Sequence, residues 1–99
     1  MVREIAEIRI QPGRQAEFED AIQRALRSVM SQAEGVMRYS VHKGIESPER
    51  YVLQIEWETL EHHTVKFREG PLFTKWREII GPFFASAPVV EHFETVVSL

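Results

Sequence analysis

From Gln15 to about Ala33, the residues Phe18, Ala21, Ile22, Ala25, Leu26, Val29 and Met30 recur at helical spacing. Glu17, Glu19, Asp20, Arg24 and Arg27 fall outside that apolar stripe. A helix with one apolar side must lay it against another element, so its neighbours decide the architecture. The segment before it, Arg3 to Gln11, alternates, with Val2, Ala6, Ile8 and Ile10 on one side and Arg3, Glu7 and Arg9 on the other. That period of two marks a half-buried strand. Pro12-Gly13 turns the chain between strand and helix, and Gly35 is well placed to end the helix.

Two further alternating segments follow. Val36 to Lys43 sets Met37, Tyr39 and Val41 against Arg38, Ser40 and His42. After a loop from Gly44 through Glu49, Tyr51, Leu53, Ile55 and Trp57 line one side of a third strand. The two strands are close enough to form a hairpin with a long loop. Thr59 is placed to cap a short helix running to about Arg68, in which Leu60, His63 and Phe67 share a face. Gly70-Pro71 breaks that helix and starts another, whose stripe is Leu72, Trp76, Ile79, Ile80 and Phe83, with Gly81-Pro82 ending it. A last strand spans Val89 to Val97.

The order predicts an α+β fold of ferredoxin-like β-α-β-β-α-β type, an antiparallel sheet with its helices on one face. The expectation is one domain over residues 1–99. A chain this short buries only about two-thirds of the surface that it exposes unfolded, so it gains from a partner. The second sheet face, carrying Val52, Gln54, Glu56 and Val90, is the expected homodimer interface.

Twelve Lys and Arg are interleaved with fifteen acids for a net charge of -3, which argues against nucleic acid as a partner. With no cysteine, disulfides and thiolate chemistry are excluded. No apolar run approaches a membrane span or a signal segment, so the expectation is a soluble cytoplasmic protein.

Ile55-Glu56-Trp57, Leu60-Glu61-His62-His63-Thr64, Phe67-Arg68, Phe73, Trp76-Arg77 and Gly81-Pro82-Phe83-Phe84 follow one another in a pattern that resembles the antibiotic biosynthesis monooxygenase family. Pro12-Gly13, Gly35-Val36-Met37-Arg38-Tyr39 and Val90-Glu91-His92-Phe93-Glu94 extend the resemblance over nearly the whole chain. The resemblance implies a dimeric α+β barrel with a pocket in each subunit, between helices and sheet. It also implies oxidation of aromatic phenols to quinones by O2 as co-substrate, with no metal or flavin. Other branches of the family bind heme or act on quinols. The polyketide-oxidising and heme-degrading branches rely on a pocket Asn with a Trp. This sequence has no asparagine, so the activation that an Asn amide would supply comes from another residue or is missing.

His63 is the candidate catalytic residue, a neutral imidazole able to take the proton of a phenol. Trp57, Phe67, Trp76, Tyr39 and Tyr51 are the candidate substrate-binding residues, stacking on a flat small aromatic molecule; aromatic stripes at element spacing are more often core packing, which is the other reading of each. Arg68 and Arg38 are candidates to stabilise an anion, or to pair with Glu69 and Glu56. Glu7 is expected to face solvent or the interface. His62 points away from His63, and His42 and His92 lie on other strands, so no metal site is expected. Three readings stay open: a cofactor-independent monooxygenase, a non-catalytic small-molecule-binding or stress-response dimer, and a heme-binding protein with His63 as axial ligand.

Overall fold

The computed structural model describes residues 1–99. Strand β1 (Val2–Arg9) leads into helix α1 (Gln15–Ser28), and β2 (Val36–Lys43) and β3 (Arg50–Trp57) form a hairpin. A π-helical segment, His62–Phe67, precedes helix α2 (Pro71–Ile80), and β4 (Val89–Phe93) closes the sheet. All pairings are antiparallel, in the order β2-β3-β1-β4. The fold is ferredoxin-like α+β. No helix is long and apolar enough to cross a membrane.

The core lies between the two helices and one sheet face. Ala6, Ile8, Tyr51, Leu53, Ile55 and Trp57 meet Phe18, Ile22 and Leu26 of α1, together with Trp76 and Ile80 of α2. The strand alternation and the α1 stripe therefore face each other across one apolar layer. Phe18 and Tyr51 pack within it, with ring centroids 4.8 Å apart.

Several elements depart from the sequence expectation. Helix α1 stops at Ser28, and one tighter turn, Met30–Gln32, completes the segment expected to be helical to Ala33. That turn pairs Gln32 N–H with Val29 O and Ala33 N–H with Met30 O, using helix-end carbonyls that would otherwise lack partners. Gly35 then takes φ +84°, the left-handed conformation suited to the end of a helix. The pairing of β2 with β3 shifts register between Val36 and Arg38, and Met37 is exposed while Tyr39 and Val41 pack on the core.

The last strand ends at Phe93 rather than Val97. Residues 94–99 pair with nothing, and their β-branched Val96 and Val97 are exposed. Val90 also changes sides. It pairs with Ala6, and paired residues share a face, so Val90 packs on the helix side rather than on the open face.

Candidate functional site

Strand β1 carries a glutamate on its inward face. Positions 4, 6, 8 and 10 all turn toward the helices, and Glu4 is only 5% exposed among them. Register makes its neighbours: Glu4 pairs with Ile55 on one side and with His92 of β4 on the other. Trp57, one diagonal step away on β3, donates its indole N–H to Glu4 Oε1 at 2.9 Å. Glu4 Oε2 accepts no hydrogen bond from the protein, yet no fully buried polar side-chain atom is without a partner. Oε2 therefore opens to the space beside it.

The second ionisable wall comes from the π-helical segment. Arg68 N–H bonds His63 O five residues back at 3.0 Å, which widens the turn. Its outer side is anchored by His62, whose Nδ1 lies 2.7 Å from Thr59 Oγ1 and whose ring lies where a Cβ on Gly35 would be. With His62 held outside, its neighbour His63 turns inward. His63 and Phe67 are buried, whereas Leu60, expected on their face, is 40% exposed because it precedes the widened turn.

His63 stacks on Trp57 at 5.0 Å between ring centroids, with 18° between planes. Its Nε2 lies 3.3 Å from Glu4 Oε1, and its Nδ1 lies 2.7 Å from His92 Nε2. A line of groups thus runs Trp57, Glu4, His63, His92. Sequence alone places His92 on a separate strand from His63; the β1–β4 register brings the two together.

Burial decides the protonation states. It raises the Glu4 carboxyl from 4.5 to about 7, against the opposing effects of the Trp57 hydrogen bond and the Arg68 charge. It also lowers the His63 imidazole from 6.5 to about 3, with Arg68 and His92 acting in the same direction. His92 is lowered as well, by burial and then by Arg68. Near neutral pH the two imidazoles are uncharged, and Glu4 is the group that titrates.

Glu4 and His63 line a cavity of about 230 Å³ between the β1–β4 half of the sheet and α2. Phe67, Phe73, Trp76 and Ile80 form its apolar wall, and Arg68 and Arg77 also border it. An apolar cavity of roughly 150 Å³ holds a benzene ring, so this one suits a substituted ring.

Of the candidate residues, the cavity brings together His63, Phe67 and Trp76. Trp57 lies behind His63 and Glu4 rather than on the cavity wall. Tyr39 and Tyr51 are elsewhere, under α1 on the β2–β3 half of the sheet. The Tyr51 hydroxyl donates to Glu19 Oε2 at 2.7 Å, and burial, then Glu19, holds it well above its usual range. Arg38 lies 3.8 Å from Glu56, and Glu7 pairs with Arg50 at 2.9 Å, both on the open face. No three His, Cys, Asp or Glu side chains converge as a metal-binding group. Heme does not fit His63: Nδ1 is bonded to His92, Nε2 faces Glu4, and the ring is sandwiched against Trp57.

The sequence profile of the antibiotic biosynthesis monooxygenases matches residues 1–79, which include Glu4, Trp57, His63 and Trp76. This chain belongs to that family. It is 40% identical over 96 residues to YczJ of Bacillus subtilis, covering 97% of this chain and 100% of that protein. A family structure from Bordetella bronchiseptica is 41% identical, with a TM-score of 0.91 over 97% of each chain. A cofactor-independent oxygenase from Streptomyces nogalater shares the fold at 16% identity, with a TM-score of 0.83 over 99% of this chain and 95% of that one. His92 lies beyond the matched residues, on the strand that completes the site.

Proposed function

We propose that this family member oxidises a small aromatic or quinol-like molecule with O2 in the Glu4–His63 cavity, without metal or flavin. The observation that carries this reading is a carboxyl that titrates near pH 7 at the wall of a ring-sized aromatic cavity. General bases work best when their pKa lies near the working pH. His63, the base expected from sequence, is held too weakly basic for that step by its burial. Glu4 takes it over, with Oε2 open to the cavity while Oε1 accepts the Trp57 indole N–H beside His63.

A phenol O–H gives its proton to Glu4, and the phenolate passes one electron to O2. The resulting radical and superoxide combine at a ring carbon, forming a C–O bond and leaving a peroxide anion. Glu4 returns its proton to that peroxide, and loss of water across the C–H and O–OH bonds gives the quinone. A quinol instead yields two electrons and two protons, producing quinone and hydrogen peroxide.

We further propose that a second copy of the chain covers the open sheet face. Val89 and Phe93 are 59% and 46% exposed there, beside the Arg3–Glu56 and Arg50–Glu7 pairs. Oxygen uptake with a panel of dihydroxy-aromatics tests the oxidation. Uptake above buffer that collapses in Glu4→Gln supports it; a rate equal to buffer with every compound ends it.

A further inference from the structure

Nine arginines are spread along the chain, and six of them reach a carboxylate: Arg3, Arg9, Arg14, Arg24, Arg38 and Arg50. Arg27, without an acid partner, stands in the last turn of α1, where a cation suits the helix dipole. The two that remain, Arg68 and Arg77, both border the Glu4–His63 cavity. Neither has a carboxylate partner, and neither donates a side-chain hydrogen bond to the protein.

Each is nonetheless placed. Arg77 also sits in the last turn of its helix, but its guanidinium leans back over the rings of Phe73 and Phe84, 5.8 Å from each centroid. Both rings belong to the cavity wall. Arg68, directly after the π-helical segment, lies close enough for its charge to act on Glu4, His63 and His92. The cavity therefore has an aromatic interior, a carboxyl at its inner wall and two free guanidinium groups at its exposed border. A neutral phenol leaves that border unused. A guanidinium fork matches a carboxylate in shape and charge.

We propose that the natural ligand is an anionic hydroxy-aromatic whose ring carboxylate is held by Arg68 and Arg77 while its hydroxyl reaches Glu4. This rests on the cavity being the ligand site, and it names the substrate class within the proposed function. The ring separates the two ends, so the ligand's carboxylate stays away from the Glu4 carboxyl. Arg68 and Arg77 thereby set specificity, while the proton transfer remains with Glu4.

Binding of hydroquinone and of its ring-carboxylated counterpart, gentisate, can be compared by calorimetry under anaerobic conditions. Gentisate is expected to bind about tenfold more tightly at low salt, an advantage that shrinks as salt screens the guanidinium groups. Arg68→Gln and Arg77→Gln should each weaken gentisate about fivefold, the scale of an exposed ion pair, and weaken hydroquinone by clearly less. Both side chains are exposed, so melting temperatures should stay at the wild-type value. Equal affinity for the two compounds, or equal losses for both in the variants, overturns the inference. Gentisate preference without oxygen uptake would leave this inference standing and remove the oxidation. Uptake with hydroquinone and no carboxylate preference would do the reverse.

Discussion

Glu4 and His63 face each other at 3.3 Å with side chains only 6% and 4% exposed. Burial moves their pKa values in opposite directions, because desolvation penalises the charged form of each. The pair is therefore neutral on both sides at mildly acidic pH, and only Glu4 ionises as the pH approaches about 7.

This opposition has a signature in stability. Glu4 binds its proton more tightly folded than unfolded, so its contribution is fully present below 4.5 and is lost as pH rises through about 7. His63 binds its proton less tightly folded, so its contribution is present above 6.5 and is lost as pH falls through about 3. Between 4.5 and 6.5 the two slopes oppose one another. Urea midpoints of the wild type should change little from about pH 5 to pH 6.5 on account of this pair. In Glu4→Gln the His63 slope is left alone, and the midpoint should rise over the same interval. Parallel curves for the two proteins would contradict the assignment.

Trp57 sets the Glu4 pKa from the other side. Its indole N–H bonds Oε1 at 2.9 Å and opposes the effect of burial. Trp57→Phe keeps an aromatic ring but deletes the donor, so the Glu4 carboxyl should titrate above its wild-type value. Infrared difference titration of the carboxyl stretch reads this without turnover. The lost bond should also cost about 1 kcal/mol of stability, measured by urea unfolding.

The open sheet face gives a third expectation. Val52 lies opposite Glu7 in the β1–β3 ladder, on the side away from the helices. Val52→Asp adds a charge to that face without touching the core. Light scattering at micromolar concentration should give a dimer mass for the wild type and a monomer mass for the variant. A monomeric wild type would remove the proposed interface.

The sequence displays the fold more openly than the site, and the reason is physical. Strand alternation and the Phe18-to-Met30 stripe are local signals, so the element order is legible from spacing alone. The site depends on register between segments far apart in the chain. Glu4 occupies an inward position of an alternating strand, but a lone acid there looks like an interruption of the Val2, Ala6, Ile8 series. Its even-numbered position was the signal that could have found it. His92 meets His63 only because β4 pairs with β1 in one particular register. Tyr39 and Tyr51 share the inward face as their spacing implies, yet α1 covers that half of the sheet, and the cavity lies under α2. Alternation fixes which face a side chain takes, not which helix lies above it.

The most direct measurement is the pH dependence of oxygen uptake with a dihydroxy-aromatic substrate, for the wild type and Glu4→Gln. Removing a general base typically costs 10²–10⁴-fold in rate. The wild-type kcat/KM should rise with pH and level off through about 7 as Glu4 ionises. Glu4→Gln should lose at least about a hundredfold and that pH step. A variant that keeps the wild-type rate and profile would contradict the assignment of Glu4 as the base.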